Sequence, residues 1–215
     1  MILILHTQIG ERLSGRDWEL HLEKMPGAIR MRISRYSRWE DRQAGLFGKL
    51  LLAEGLRRCG YPAHLDNLVW DASGRPFLDG DLDLNISHSG DYAVCALGWA
   101  ARLGVDIEKV RPIDVADFRT QMSQGQWEAI MTAENRIDTF FRFWTQKEAV
   151  TKADGRGIAI PLEGIVLDGG KAFLDAAAWD VREVVIADGY RCHLATDSRD
   201  PEIRIEGVSF HRAVR

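Results

Sequence analysis

The chain has 215 residues, enough for one large domain or two small ones, and its 46% hydrophobic and 28% charged residues are those of a globular rather than a disordered chain. A formal net charge of -4 leaves no basic footprint, so no nucleic-acid partner is expected. The cysteines, Cys59, Cys95 and Cys192, are odd in number and widely spaced, which gives no disulfide framework or zinc spacing; with no bilayer-length apolar run and an apolar start too short for a signal peptide, the expectation is a reduced, cytoplasmic setting and no membrane.

In chain order, residues 2–7 read as a strand and 17–22 as a short helix or turn. Arg30, Arg32, Arg35, Arg38 and Arg42 form a basic stretch behind the loop at Met25-Pro26-Gly27, either a solvated face or an anion-binding edge. From Trp39 the spacing of Ala44, Leu46, Phe47, Leu50, Leu51 and Leu56 predicts a helix ending near Cys59-Gly60-Tyr61-Pro62. Arg42 lies in its first turn, where a cation opposes the helix dipole and calls for a nearby anion or carboxylate. Residues 68–70 and 75–78, joined by Asp71-Ala72-Ser73-Gly74, read as a hairpin. Residues 83–88, 92–97 and 103–108 follow as an antiparallel meander whose last strand is acidic. Helices are expected over 114–122, 124–131 and 138–154, and strands over 164–167, 171–173, 179–186, 190–195 and 203–210.

Two clusters carry chemistry. On the helix at 138–154, with Asp138 as its N-cap and Gly155 as a left-handed C-cap, Trp144, Glu148 and Lys152 recur at i, i+4 and i+8 on one stripe. Taken alone, Glu148 and Lys152 could be an ordinary surface pair. In Gly104-Val105-Asp106-Ile107-Glu108, strand alternation puts Asp106 and Glu108 on one face. Adjacent carboxylates repel unless a cation lies between them, which suits a hard divalent ion such as magnesium; a solvated edge strand is the other reading.

Together, Gly104-Val105-Asp106-Ile107-Glu108 and Phe143-Trp144-Thr145-Gln146-Lys147-Glu148-Ala149-Val150-Thr151-Lys152-Ala153-Asp154-Gly155-Arg156-Gly157-Ile158 closely resemble the paired signatures of the Sfp-type 4′-phosphopantetheinyl transferases. The resemblance implies a magnesium-dependent holo-carrier-protein synthase, with manganese as a possible substitute. Such an enzyme moves the phosphopantetheine arm of coenzyme A onto a serine of an acyl or peptidyl carrier protein and releases adenosine 3′,5′-bisphosphate.

By the same resemblance Asp106, Glu108 and Glu148 hold the metal, Glu148 also takes the general-base role, and Lys152 reaches the pyrophosphate. Coenzyme A is further held by Ser87 and His88, by the Gly74-Arg75-Pro76 turn at the adenosine, and by Arg42 at the 3′-phosphate. The implied fold is α+β: two similar subdomains in a pseudo-twofold pair, each an antiparallel sheet packed on a long helix. Residues 1–104 carry the adenosine side and 105–215 the metal and catalytic helix, and a monomer is expected. The family often has an acidic residue within 122–127, where this chain has Gly125 and Gln126.

Two other functions use the same residues. A magnesium-dependent phosphoesterase would use the carboxylates to activate water. A catalytically inert carrier-binding module would keep only the fold, and the retention of Asp106, Glu108, Glu148 and Lys152 argues against it. The carrier is expected on residues 110–135, at an apolar patch of Phe118, Met122, Trp127 and Met131 with Arg111, Arg119 and Arg136 at its margins; helix core is the alternative for Trp127. The sequence leaves the carrier's pathway open among fatty acid, polyketide and nonribosomal peptide synthesis.

Overall fold

In a computed structural model, which describes residues 1–210 and only the backbone of Ile158, each half of the chain runs strand, long helix, hairpin. Residues 211–215, the end of the expected second subdomain, lie outside the described residues. The first half contains β1 (Ile2–Gln8), α1 (Gly15–Leu22), α2 (Gly27–Ser34), α3 (Trp39–Arg58), the short pair β2 (Val69–Trp70) and β3 (Pro76–Phe77), then β4 (Leu82–Ser89) and β5 (Tyr92–Trp99). The second contains β6 (Leu103–Lys109), α4 (Gln124–Thr132), α5 (Arg136–Asp154), β7 (Val166–Asp168), β8 (Lys171–Leu174), β9 (Ala177–Glu183), β10 (Tyr190–Thr196) and β11 (Ile203–Gly207).

The halves share one topology. In the first, β5 pairs antiparallel with both β1 and β4; in the second, β10 pairs antiparallel with both β6 and β9. Helix α3 packs on the first sheet and α5 on the second, so the fold is α+β with two similar antiparallel units. Strand β11 returns to lie parallel beside β1, giving the orders β11-β1-β5-β4 and β6-β10-β9-β8-β7. Leu46, Phe47, Leu51 and Leu52 of α3 fill one core with Leu3, Leu5 and Leu84, whereas Ala149, Val150 and Ala153 of α5 fill another with Ile165 and Ala195.

Four expectations change. Strand β6 is not the third strand of a meander, because both edges of β5 are already taken by β1 and β4; the chain turns at Ala100 (φ 50°) and crosses to the other sheet. Residues 27–34, read only as part of a basic stretch, form a helix started by Pro26 and anchored by buried Ile29 and Ile33, with Arg30 and Arg32 outward. Helix α5 is capped by Asn135, whose side chain accepts from Asp138 N at 3.0 Å, while Asp138 itself pairs with Arg191 at 2.6 Å. The stretch before α4 is a 3-10 helix (Val115–Gln121). Gly155 does close α5 at φ 90°, as its position in the sequence indicated.

Candidate active site

The two sheets meet where β4 lies beside β6, and no backbone ladder joins them. Short polar side chains on alternate residues of β4 accept from alternate N–H groups of β6 instead. Leu103 N donates to Asp83 Oδ2 (2.8 Å), Val105 N to Asn85 Oδ1 (3.0 Å), Ile107 N to Ser87 Oγ (3.3 Å) and Lys109 N to Ser89 Oγ (3.1 Å). The acidic strand is therefore not a solvated edge: its free donors are satisfied across the seam.

Helix α5 lies over this seam because Gly104 lets it approach. A Cβ on Gly104 would come within 2.9 Å of Lys152 C and closer still to Ala149 O and Ala153 N, all backbone atoms of α5. That contact brings Lys152 Nζ to 2.6 Å from Asp106 Oδ1 and 2.9 Å from Ser87 Oγ, with Ser87 donating to Asp106 Oδ1 at 3.1 Å. Ser89 donates to Glu108 Oε2 at 2.6 Å. Asp106 is 4% exposed, and its Oδ2 has no hydrogen-bond partner among the described residues.

Burial, opposed by Lys152, holds the Asp106 carboxyl above the usual aspartate range. Glu108 is raised first by burial and then by the Asp106 charge, and Glu148 by burial and then by Asp106 and Glu108. Each of these carboxylates thus lies in the field of the others. Among the described residues no three carboxylate, histidine or cysteine side chains close into a ready metal cage, and Lys152 takes one oxygen of Asp106. The donor set still suits a hard cation: an orphaned carboxylate oxygen stands beside two further carboxylates whose charging burial and mutual repulsion disfavour.

A cleft runs along the seam. Its larger part, about 460 Å³, is lined by Gly74, Arg75, Pro76, Glu148 and Lys152; a smaller part, about 190 Å³, shares Gly74, Pro76 and Ile86 and continues to His88, Lys49 and Arg32. His88 is held below the usual histidine range by desolvation and then by the charges of Lys152 and Lys49. The Gly74 turn (φ 84°) is tied by Asp71 Oδ1, which accepts from Ser73 N and Arg75 N, each at 2.9 Å.

Six sequence-identified residues, Ser87, His88, Asp106, Glu108, Glu148 and Lys152, therefore meet at the seam with the Gly74-Arg75-Pro76 turn. Two arginines stand differently from expectation. Arg75 is turned inward: its guanidinium grips Asp83 (2.6 Å), Leu103 O (2.8 Å) and Lys152 O, clamping β4, β6 and α5. Arg42 donates to Tyr36 O at 2.7 Å and lines a separate cavity with Arg12, Trp18 and Trp39, so a backbone carbonyl satisfies it rather than a carboxylate.

Around the site, Gln126 is a buried cap rather than a displaced acid. Its Oε1 accepts from Ser123 N at 3.0 Å while its Nε2 donates to Ile165 O at 3.3 Å, a donation no carboxylate could make. Met122 is 1% exposed and belongs to the core with Ile130, Phe140 and Phe141, so it is removed from the docking patch; Trp127 is half-buried under Arg119.

Three residues given no role by the sequence gain one from the fold, Lys147 although it lies within the quoted signature. Lys147 is fully buried and donates at 2.7 Å to both Gln121 O and Leu162 O, with burial pulling its pKa down to about 8. His193 faces Asp106 across the β6–β10 pair and shares a 2.7 Å hydrogen bond with Thr145 Oγ1. Lys49 is the third; it is half-buried between buried Gly48 and Leu50 of α3 and lines the smaller part of the cleft.

Comparison with known proteins agrees over both halves. The 4′-phosphopantetheinyl transferase superfamily profile matches residues 102–192, and an N-terminal 4′-phosphopantetheinyl transferase profile matches residues 12–99. The chain is similar to the 4′-phosphopantetheinyl transferase gsp of Aneurinibacillus migulanus, with 28% identity over 74% of this chain and 70% of that protein. It is also similar to the 4′-phosphopantetheinyl transferase Sfp of Bacillus subtilis (strain 168), with 27% identity over 70% of this chain and 69% of that protein. The solved Thermotoga maritima holo-[acyl-carrier-protein] synthase aligns at TM-score 0.36 and 16% identity over 44% of this chain and 61% of that one, too loosely to carry an argument.

Proposed function

Because the chain belongs to the Sfp-type 4′-phosphopantetheinyl transferases, we propose that the seam between its two sheets is where the phosphopantetheine arm of coenzyme A passes to a carrier-protein serine. The protein is a transferase, a holo-carrier-protein synthase with coenzyme A and a carrier protein as substrates. The observation carrying the assignment of place is the contact at Gly104, which seats Glu148 and Lys152 over Asp106 and beside a cleft of nucleotide size.

Asp106, Glu108 and Glu148 would hold magnesium, or manganese in its stead; when bound, such an ion supplies charge neutralisation at the pyrophosphate. The chain's own groups do the rest. Glu148, without a hydrogen bond among the described residues and raised in pKa, takes the serine proton. The serine oxygen forms its bond to the phosphorus bearing the pantetheine, the pyrophosphate P–O bond breaks, and adenosine 3′,5′-bisphosphate leaves with that electron pair. Lys152, swung from Asp106, meets the charge developing on the leaving phosphate, and Ser87 orients it. His88 and the Gly74-Arg75-Pro76 turn frame the adenosine end, Arg75 by clamping the turn in place. Arg42 acts at one remove, by bracing Tyr36 on the wall of the smaller cavity.

The division at 104/105 is supported by the repeated topology, although β6 straddles it and β11 returns to the first sheet. No described helix is long and apolar enough to cross a membrane. A cytoplasmic monomer is the matching cellular reading, and the net charge of -4 supports one without nucleic-acid partners.

The experiment is release of adenosine 3′,5′-bisphosphate from coenzyme A with and without an apo-carrier. Release that requires the carrier supports transfer; equal release without it would turn the site into a phosphoesterase.

A further inference from the structure

We propose that Tyr190 positions Glu108 for the metal: its hydroxyl pins the β4–β5 turn to the second sheet and so fixes the seam at the end where Glu108 stands. The inference rests on the transferase reading above, in which Glu108 is a metal ligand. Tyr190 lies outside both signature segments.

Side chains alone span the seam, so no backbone ladder sets its width, and Glu108 takes its direction from across it. Ser89, the last residue of β4, donates to Glu108 Oε2 at 2.6 Å, while its Oγ accepts from Lys109 N at 3.1 Å. Just past Ser89 the chain turns through Gly90 (φ 54°) and Asp91 into β5. Tyr190 opens β10 and stands opposite Lys109 of β6. Its Oη accepts from Asp91 N at 2.9 Å and donates to Asp91 Oδ2 at 3.2 Å, and Lys109 Nζ reaches the same carboxylate oxygen at 2.7 Å. Tyr92 of β5 meets the phenol ring edge to face at 5.0 Å, and the Lys109 ammonium lies 5.9 Å from the ring centre. One phenol thus joins the turn of the first sheet to two strands of the second.

These contacts differ in weight. Lys109 and Asp91 are exposed, and an ion pair of that kind contributes little by itself. The hydroxyl engages a main-chain donor, so it fixes where the turn lies rather than where a side chain points. Position 90 needs glycine twice over: for its positive φ, and because a Cβ there would lie 2.7 Å from Tyr190 Oη and 2.6 Å from Lys109 Cδ. The turn is therefore seated directly on the phenol. Without the hydroxyl the turn loses this stop, Ser89 moves with it, and Glu108 loses its fixed direction. Removing a group that orients a metal ligand typically costs about 10–100-fold in metal affinity. Tyr190 acts one step further out, through Ser89, which puts its effect at the lower end of that range.

The test uses the intact chain with manganese, whose free-ion electron paramagnetic resonance signal reports binding in the presence of coenzyme A and without a carrier. Tyr190→Phe keeps the ring between Tyr92 and Lys109 and removes only the hydroxyl. Its manganese affinity should fall about tenfold, while coenzyme A affinity under chelation stays within about twofold of wild type. Ser89→Ala, which removes the direct partner of Glu108, should weaken manganese at least as much, and in that background Tyr190→Phe should cost nothing further. Gly90→Ala presses the turn off the phenol from the other side and should weaken manganese too, even if Tyr190→Phe folds poorly. Unchanged manganese affinity in Tyr190→Phe, equal losses of manganese and coenzyme A, or a full added loss in the Ser89→Ala background overturns the positioning role. A wild type that binds no manganese overturns it together with the metal assignment. Whether wild type modifies a carrier is measured separately and decides the transferase reading.

Discussion

Gly104→Ala tests how tightly activity depends on the seating of α5. The added methyl would lie 2.9 Å from Lys152 C and still nearer to Ala149 O and Ala153 N. Ordinary contact needs roughly 3.5 Å, and all three neighbours are helix backbone, so the helix must lift by about 1 Å. No side-chain rotation can relieve it. Overpacking of this kind costs about 3 kcal/mol, which for a chain of this size lowers the melting temperature by about 6–12 °C. The functional loss should exceed the stability loss. Glu148 and Lys152 ride on the displaced turns, and the 2.6 Å contact from Lys152 Nζ to Asp106 cannot survive such a shift. Misplacement by about 1 Å costs about a hundredfold in rate. The assay is carrier modification under saturating coenzyme A at a temperature where circular dichroism shows the variant folded. Wild-type turnover with wild-type melting would refute the close approach as the determinant of the site.

Trp127→Ala, at a half-buried position under Arg119, should raise the Michaelis constant for the carrier and leave that for coenzyme A unchanged; movement of neither constant places docking elsewhere. Met122→Ala instead removes core packing and should cost about 2–5 kcal/mol by urea denaturation, so a neutral result there would contradict its burial. Lys147→Met strands Gln121 O and Leu162 O, each worth about 1–3 kcal/mol, and unchanged denaturation would show that other donors replace it. Asp106, Glu108 and Glu148 all have raised pKa values, so the folded state keeps protons that the unfolded chain releases, and their contribution to stability falls as pH rises from about 4 through the raised values. Lowered groups such as Glu54 and Asp154 act in the opposite sense, so the reading is wild type minus Glu108→Gln under chelation. That difference should become more unfavourable to wild type with rising pH and shrink on adding magnesium; a flat difference would contradict it.

Much of the site is legible in the sequence because it is local. The i, i+4 stripe of Glu148 and Lys152 and the two-residue alternation of Asp106 and Glu108 follow from helix and strand geometry, and each pair does share one face of its element. Their meeting is non-local. Nothing in periodicity says that β6 leaves β5 for β10, or that the side chains of Asp83, Asn85, Ser87 and Ser89 replace a backbone ladder. Gly104 reads only as part of a motif, since a close approach by a distant helix leaves no trace in neighbouring residues. The arginines mislead for a related reason. Arg75 and Arg42 are the right residue type in the right segments, but side-chain direction decides that one grips Asp83 and the other Tyr36 O, while Lys49 turns into the cleft.

The most direct measurement is the intact mass of an apo-carrier after incubation with coenzyme A, magnesium and either wild type or Glu148→Gln. The expected result is a gain of one phosphopantetheine on the carrier serine with wild type, and no gain with Glu148→Gln even at saturating coenzyme A. Equal modification by both proteins would contradict the placement of the chemistry at the seam under α5.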